Sequence, residues 1–485
     1  MIDLSSKREH TGVYVTDEKR NMDQKVIQIM ENTSEARILE IYEKQRSAFR
    51  AGVTLPLESR RNNLKALNAA LKKWEKPLCE ALWTDLHKSY EEALLTELSI
   101  VAGEIDNHLS HLGRWAAPKR KPTPLKMFPS RSKVVAEPLG NSLIIAPWNY
   151  PVQLLLNPLV GALSAGCTAL LKPSPYVPNV SLTIERMISE AFPERIVAVV
   201  QGNREVNKEL LALKWDLIFF TGSPALGRQV MEAASKNLTP VVLELGGKSP
   251  CIVDRDADID MAAHRIAWGK SLNAGQTCIA PDYLLLHEDI KDKFLSALSR
   301  EFKNLLGENP KETRHFVRIV NDRAFERLKG YLQCGDIVFG GHTDASDRYF
   351  EPTALDNVDP SSAVMQEEIF GPIFPVQTFS SLDGAIDFIL DRPKPLALYY
   401  FGRSGKKVIS HTSSGGACIN DTIMHIANEN IPFGGVGNSG MSAYHGKNSF
   451  DVFSHYKSVV TTPTWLDLPF RYMPYKMFSL TRRLL

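Results

Sequence analysis

From residue 134 onward, short apolar runs alternate with segments whose apolar residues recur every three or four positions. These two repeats are typical of strands and helices respectively. Strands that alternate with helices build a mostly parallel sheet covered by helices on both faces. The alternation resumes after Glu244 and therefore predicts two α/β domains. The predicted strands are SLIIA, TALLK, RIVAVVQ, DLIFFTG and VVLEL before Glu244, then CIVD, YLLLH, DIVFG, FPVQTF, LALYYF and ACIN, with helices at 180–191 and 224–235.

The segments before this alternation predict a polar extension and covering helices. A chain of 485 residues is too long for one ordinary core, so two or three domains are expected. Residues 1–33 are polar and weakly periodic, and the folded body is predicted to begin at Ser34, which can cap a helix. Two helical patterns that would cover a sheet follow, through Ile38, Ile41, Tyr42 and Phe49, and through Leu64, Leu67, Leu71 and Leu78.

Three other segments raise questions about membranes and partners. Residues 151–171 have the length of a membrane span, but polar residues interrupt them, so a buried helix running into a core strand is predicted. Residues 119–133 hold six basic residues and three prolines, which favours an exposed connector, either a solvated linker or a subunit-contact arm. The basic, aromatic tail at 471–485 is predicted to be docked or loosely ordered rather than bound to a membrane surface.

Charge and cysteine content exclude several classes of function. A formal net charge of +2 produces no field that would attract nucleic acid, and no nucleic-acid partner is expected. The six cysteines are scattered without CxxC spacing, which argues against disulfides and structural zinc. The amino terminus lacks the apolar segment of a secretory signal. A cytoplasmic protein with reduced thiols is therefore expected.

The strongest local motif is NAGQTC, residues 273–278, in which Gly275 permits a tight turn just before Cys278. A cysteine in this setting could be a nucleophile. Taken alone, it is more often a small buried apolar residue. Its interpretation therefore depends on the partners that other motifs supply.

Two upstream motifs offer such partners. PWNYP follows a predicted strand and carries Asn149, whose amide could hold an oxyanion, although a turn asparagine is an equally good interpretation. Glu244 ends a predicted strand before two glycines, where its carboxylate could act as a base, form a salt bridge or cap a helix. Neither residue is decisive by itself.

A third set of motifs suits a dinucleotide. Gly222 and Ser223 open a predicted helix, whose amino terminus favours phosphate, although the glycine spacing is not GxGxxG. Lys172 could reach an adenosine ribose or phosphate. Glu368 and Phe370, two apart in EEIFGP, could face one cleft, with the carboxylate toward ribose hydroxyls and the ring toward nicotinamide, or could belong to a structural strand.

Together these motifs resemble the aldehyde dehydrogenase superfamily, and most of all its class 3 group, which includes the fatty aldehyde dehydrogenases. The resemblance covers residues 34–457. It is carried by PWNYP, LLKPSP, FTGSPALGR, LELGGKSP, NAGQTC, MQEEIFGP and PFGGVGNSGMSAYHGKNSF, and for class 3 by SPCIVD, APDYLLL, LALYYF and GNSGMSAYHGKNSFDVFSH.

The resemblance implies a role for each matching residue. Cys278 would be the nucleophile, Glu244 the general base and Asn149 the oxyanion donor, with no metal required. NAD or NADP would bind at Trp148, Lys172, Gly222, Ser223, Gly227, Leu245, Glu368 and Phe370. The implied activity is NAD(P)-dependent oxidation of medium- to long-chain aliphatic or aromatic aldehydes to acids through a cysteine thiohemiacetal and thioester.

The resemblance also implies a domain plan and a homodimer. After the extension at 1–33, residues 34–118 and 134–244 would form a Rossmann-like cofactor domain and residues 245–420 the α/β catalytic domain. Residues 119–133 and 445–470 would form a small oligomerisation arm, followed by the tail at 471–485. No long apolar tail follows Lys457, so a soluble enzyme without membrane contact is expected.

One residue departs from the pattern of the family, and two alternative functions make expectations that the sequence can be compared with. Pro175 stands where many NAD-preferring members carry an acidic residue, so use of either dinucleotide is predicted. A coenzyme A-acylating semialdehyde dehydrogenase would be expected to lack Glu244. An inactive binding protein of the same fold would be expected to lack Cys278, Asn149 or Glu244, and all three are present.

Overall fold

The computed structural model describes residues 31–467, 472–475, 478 and 482. The predicted extension is therefore described only at its last three residues, and most of the tail at 471–485 lies outside the described residues. Its helices, numbered in chain order, are α1 (Glu35–Arg50), α2 (Leu57–Lys73), α3 (Glu75–Leu86), α4 (Tyr90–Ala93), α5 (Ser99–Ala116), α6 (Gln153–Ala165), α7 (Pro178–Ala191), α8 (Arg204–Ala212), α9 (Pro224–Ser235), α10 (Ile259–Ser271), α11 (Lys291–Leu306), α12 (Asp322–Tyr331), α13 (Ala363–Gln366), α14 (Leu382–Leu390), α15 (Gly405–His411) and α16 (Lys447–Val452).

Within the described ranges, the strands form four sheets. In chain order they are β1 (Lys119–Lys121), β2 (Arg131–Pro138), β3 (Asn141–Ile145), β4 (Thr168–Lys172), β5 (Val197–Val199), β6 (Leu217–Gly222), β7 (Val241–Leu245), β8 (Pro250–Val253), β9 (Tyr283–His287), β10 (Asp336–Phe339), β11 (Thr343–Asp344), β12 (Tyr349–Phe350), β13 (Thr353–Asp356), β14 (Ile373–Phe379), β15 (Ala397–Phe401), β16 (Gly416–Ile419), β17 (Gly440–Met441) and β18 (Ser454–Thr461).

The first helices of the described body differ slightly from the predicted ones. Ser34 caps α1 as expected, because its side chain accepts a hydrogen bond from the Arg37 N–H. Contacts with the rest of the fold are already present before Ser34, since the Thr33 N–H donates to the carbonyl of Gln201 at 3.0 Å. The second helical pattern is two helices, because Trp74 ends α2 and Leu78 belongs to α3.

The first large sheet has the order β17-β7-β6-β3-β4-β5 and is parallel except for β17. All five strands predicted before Glu244 are confirmed, as are the helices at 180–191 and 224–235. Both faces are buried: Ile218 and Phe220 of β6 pack in one apolar cluster with α1, and Phe219 packs in another with α6. Such burial on both faces explains why these strands are continuous apolar runs.

The segment at 151–171 is a buried helix that leads into a core strand, as predicted. Every residue of α6 is buried, and α6 is followed by β4. Among the described residues, no helix is both long and apolar enough to cross a membrane.

The second large sheet has the order β10-β13-β14-β9-β8-β15-β16. It is parallel except at its edge, where β10 pairs antiparallel with β13. The six strands predicted after Glu244 are present, but β13 was missed because its sequence, TALD, is short and polar at both ends.

A small third sheet, β1-β2-β18, joins the basic connector to the end of the described body. The ends of the connector are strands, and the three residues of β1 are exposed. This pairing is the one that the resemblance implied for an arm. The boundaries of the predicted domains stay a prediction.

Candidate active site

A cleft of about 1200 Å³ opens where the carboxyl ends of β3, β6 and β7 in the first large sheet meet the amino ends of β8 and β9 in the second. Ligands in open α/β sheets bind at the carboxyl edge, which the first sheet presents to the cleft. The three residues predicted to be catalytic line the cleft, as do most of those predicted to bind the dinucleotide: Asn149, Glu244, Cys278, Trp148, Gly222, Ser223, Leu245, Glu368 and Phe370.

The loop before Cys278 is shaped by three successive residues in the left-handed backbone region. Asn273 and Ala274 have φ of 50°, and Gly275 has φ of 70°. A side chain at Gly275 could not be accommodated, because a Cβ would lie 2.4 Å from the carbonyl oxygen of Gly371. The Asn273 N–H donates to Glu92 Oε1 at 2.8 Å, which ties the loop to the helical layer. The turn that the sequence indicated at Gly275 is thus three residues long.

Cys278 is half-buried in the cleft wall. Burial, followed by the carboxylates of Glu368 and Glu244, raises the pKa of its thiol, and the N–H groups of Cys278 and Ile279 act in the opposite direction. The thiol is therefore protonated at neutral pH, and a base must remove its proton before it can act as a nucleophile.

Asn149 is held by a layer that sequence reasoning missed. Its side-chain amide donates to the carbonyl of Gln276 at 3.0 Å, while its own carbonyl accepts from Lys88 Nζ at 3.1 Å and Asn273 Nδ2 at 2.9 Å. Lys88 is fully buried and pairs with Glu97 at 2.6 Å. A buried charge needs such a partner. The two residues precede Asn149 by more than 50 positions, and no local pattern connects them to it.

Glu244 lies near the end of β7, beside Gly440 of β17. Its side chain is 3% exposed, and neither carboxylate oxygen has a hydrogen-bond partner within the described part of the chain. Burial raises the pKa of this carboxyl well above its usual value. A buried acid without a structural partner is available for proton transfer, which disfavours the salt-bridge and helix-cap interpretations.

Glu368 and Phe370 occupy the opposite wall. The Phe370 ring packs edge-on against Trp148, with 5.4 Å between ring centroids. Glu368 Oε1 is buried with no hydrogen-bond partner in the described ranges, and burial and then Asp282 raise the pKa of Glu368 to about 8. A buried oxygen in this position suits a hydroxyl donor from a bound ligand.

The segment that carries Glu368 is fastened by cationic side chains that the sequence did not reveal. Arg327 donates to the carbonyls of Glu368 at 3.2 Å and Ile369 at 2.7 Å. Lys248 donates to the carbonyl of Glu367 at 2.9 Å. Lys248 therefore belongs to a motif that the sequence shows, LELGGKSP, but the carbonyl that it contacts could not be predicted.

Two predicted cofactor residues do not line the cleft. Lys172 is buried and its Nζ donates to the carbonyl of Pro173 at 2.7 Å. Gly227 faces the strand, because a Cβ there would lie 2.7 Å from Leu245 Cδ2. Gly227 therefore permits close packing of α9 on β7, and cofactor contact by these two residues stays a prediction.

The remaining cysteines and acidic residues do not suggest a different site. All six cysteines are unpaired. Over residues 31–467 and the described tail positions, no three histidine, cysteine, aspartate or glutamate side chains converge on a point that could hold a metal ion.

A Rossmann-like sheet facing a second α/β sheet across a cleft that holds a cysteine and a buried glutamate is the arrangement of a nicotinamide-dependent oxidoreductase. The chain belongs to the aldehyde dehydrogenase family, whose model matches residues 10–459. It is thus an NAD(P)-dependent aldehyde dehydrogenase, an enzyme that oxidises aldehydes. The family resemblance seen in the sequence is confirmed.

Individual relatives agree with this assignment. The chain is 48% identical over 433 residues to a 4,4'-diaponeurosporen-aldehyde dehydrogenase of Staphylococcus aureus, covering 88% of this chain and 94% of the relative. It is 47% identical to the mouse aldehyde dehydrogenase family 3 member A2, covering 84% and 85%. A solved structure of the substrate-bound state of Staphylococcus aureus AldH superposes with a TM-score of 0.90 at 46% identity, covering 92% of this chain and 99% of that chain.

Proposed function

We propose that Cys278, Asn149 and Glu244 carry out the oxidation through a covalent acyl-enzyme. The observation that supports this most strongly is the convergence of a thiol, an amide and an unpartnered buried carboxyl, from three separate segments, on one cleft. These are the groups needed to attack an aldehyde, hold the resulting oxyanion and activate water.

In the first half of the reaction, the Cys278 thiol gives its proton to water in the open cleft, and the resulting thiolate attacks the aldehyde carbon and forms a thiohemiacetal. The oxyanion accepts hydrogen bonds from the Asn149 amide and the Cys278 N–H. Lys88 and Glu97 support this step indirectly, because they hold the Asn149 backbone. A bound nicotinamide supplies the hydride acceptor, and loss of hydride leaves a thioester on Cys278.

In the second half, Glu244 takes a proton from water, whose oxygen attacks the thioester carbon. The C–S bond breaks, its electron pair returns to the sulfur of Cys278, and a free acid leaves. The general base at Glu244 favours this hydrolysis over transfer of the acyl group to coenzyme A.

The dinucleotide is proposed to bind along the same cleft. The amino terminus of α9 lies in the cleft, where its dipole favours phosphate, although Pro224 has no N–H and the Leu226 N–H donates to Ser223 Oγ. The unpartnered oxygen of Glu368 suits a ribose hydroxyl. Phe370 and Trp148 provide an aromatic wall for the nicotinamide. The open space of the cleft is sufficient for a ligand of this size.

The first test of this site is Gly246→Ala. A Cβ at Gly246 would lie 2.0 Å from Glu368 Oε2, so the carboxylate must move away from the proposed ribose position. We expect the KM for NAD to rise by about tenfold, as expected for the loss of one buried hydrogen bond. The KM for the aldehyde should change little.

A matched control for this variant is Gly330→Ala on α12. A Cβ at Gly330 would meet no atom within 4 Å, so the kinetic constants should stay the same. Equal changes in both KM values for Gly246→Ala, or no change, would argue against Glu368 as a cofactor contact.

We also propose that the substrates are medium- to long-chain aliphatic or aromatic aldehydes. Apolar side chains in the cleft wall, including Leu154, Phe433 and Ile389, support this range. So does the similarity to a family 3 member and to an enzyme named for 4,4'-diaponeurosporen-aldehyde.

The test of the whole proposal is a screen of aldehydes of increasing chain length with NAD and with NADP, read by NAD(P)H absorbance and by identification of the product. We expect a free acid even when coenzyme A is present, and turnover with both dinucleotides, because Pro175 offers no negative charge against a 2′-phosphate. Formation of an acyl-coenzyme A would contradict the hydrolytic step, and exclusive use of NAD would contradict the cofactor prediction.

A cytoplasmic homodimer is the proposed state of the enzyme. The unpaired cysteines suit a reducing compartment. The exposed strand β1 leaves an edge of the small sheet open to pairing with a second copy.

A further inference from the structure

Tyr444 is a buried cleft residue with no role in the mechanism so far. Its side chain is 1% exposed and lines the same cleft as Cys278 and Glu244. Its hydroxyl has no hydrogen-bond partner among the residues that the structure describes. Two other fully buried tyrosines differ in this respect, because Tyr399 donates to the carbonyl of Ile279 and Tyr400 to Asp254.

The backbone brings Tyr444 beside the strand that carries Glu244. Gly440 pairs with Glu244 across β17 and β7, and the Leu245 N–H donates to the carbonyl of Ser439 at 3.0 Å. Burial, and then charge on Glu244, Cys278 and Glu104, raises the pKa of Tyr444 well above its usual value. The phenol is therefore neutral while it lies within the electrostatic range of both proposed reacting groups.

The ring of Tyr444 is held rigidly. Phe219, Phe433 and His445 pack edge-on around it, with centroid distances of 5.2, 5.8 and 4.4 Å. The residues that follow are fastened by buried Glu104, which accepts from the Gly446 N–H at 2.9 Å. A fixed ring gives the hydroxyl a fixed position, as a group that orients a small molecule requires.

The cleft-lining oxygens that are buried without a hydrogen-bond partner among the described residues include the two of the Glu244 carboxylate and the Tyr444 hydroxyl. Unpaired buried polar atoms are costly, and one water molecule can bridge two to four of them. We propose that the Tyr444 hydroxyl is a further catalytic group that, with Glu244, binds and orients the water that hydrolyses the acyl-enzyme.

This inference rests on the proposed function. The water donates one hydrogen bond to Glu244 and the other to the phenol oxygen, which directs a lone pair toward the thioester carbon. The C–O bond then forms, the water proton passes to Glu244, and the C–S bond breaks with its electron pair on sulfur. Tyr444 keeps its own proton throughout.

The test uses Tyr444→Phe, which removes only the hydroxyl. The first turnover should give one NAD(P)H per site at the unchanged rate, and the following steady state should be about tenfold to a hundredfold slower, as expected when a reacting molecule loses its orientation. Intact mass after acid quenching should show acylated Cys278, and steady turnover should show a larger solvent deuterium effect than in the unmodified enzyme.

Tyr42→Phe is the matched control, because Tyr42 is a buried tyrosine on α1 that donates to the carbonyl of Lys214. It should leave both phases unchanged. Unaltered kinetics in Tyr444→Phe, or equal slowing of both phases, would overturn the proposal for Tyr444.

Glu244→Gln separates this proposal from the mechanism on which it rests. If Glu244→Gln accumulates the acylated enzyme and Tyr444→Phe does not, the role of Tyr444 is refuted while the acyl-enzyme mechanism stands. If neither variant accumulates it, the mechanism itself fails.

Discussion

Cys278→Ala should lower NAD(P)H formation from a medium-chain aldehyde by about 10⁴-fold or more, since removal of a covalent nucleophile eliminates the reaction path that the other groups serve. The alanine fits the same volume without a new contact, so the cleft and its dinucleotide site should persist. Cofactor affinity, measured by quenching of protein fluorescence, is expected to be unchanged.

The control for this variant is Cys334→Ala. Cys334 is half-buried like Cys278 but does not line the cleft. Its replacement should leave activity intact. Persistent turnover in Cys278→Ala would refute the assignment of the nucleophile, and a parallel loss of dinucleotide binding would mean that the substitution had damaged the site.

Glu244→Gln should slow hydrolysis of the thioester far more than acylation. The amide cannot take a proton from water, and loss of a general base costs about 10²- to 10⁴-fold. The expected time course is therefore the rapid formation of one NAD(P)H per site, followed by very slow steady-state turnover. Loss of the rapid phase would instead assign Glu244 to activation of the Cys278 thiol.

The raised pKa of Glu244 also predicts the direction of two pH effects. Hydrolysis needs the carboxylate, so the deacylation rate should increase with pH through the raised pKa. Stability should change in the opposite direction, because the folded state holds the proton more tightly than the unfolded chain does. The stabilising contribution of the Glu244 carboxyl is complete below the pKa that this group has in the unfolded chain. It is lost as the pH rises through the pKa of the same group in the folded protein.

Glu244→Gln should consequently raise the free energy of unfolding by about 1 kcal/mol at the alkaline end of the range, as is common when a strained functional group is removed. Denaturant titrations of both proteins at several pH values would measure this. A destabilised variant would mean that the carboxylate has a structural partner.

Sequence patterns anticipated the parts of this fold that depend on local chemistry. The buried strands were found because both of their faces are covered, which leaves continuous apolar runs such as DLIFFTG. Cys278, Asn149 and Glu244 could be proposed from the sequence because each follows or ends such a strand or turn within a family motif; the structure brings all three to one cleft, and their catalytic roles stay a prediction.

Other features depend on contacts between distant segments and could not be predicted. Lys88 reaches Asn149 across 61 positions, and Arg327 reaches Ile369 across 42. Tyr444 lies within a motif that the sequence shows, but only the pairing of β17 with β7 brings the segment that precedes it to the strand of Glu244. Lys172 has its amine turned toward the carbonyl of Pro173, a rotamer that residue order does not determine.

The small sheet has a consequence for how this enzyme is made. Lys457 of β18 contacts Glu137 of β2 across 320 positions. Ribosomes add about 5–20 residues per second, so β2 waits on the order of 16–64 s for its partner. Throughout that time its backbone edge is open to other chains. The yield of active enzyme in a cell should therefore depend on chaperones that shield nascent chains, even if the finished protein is stable.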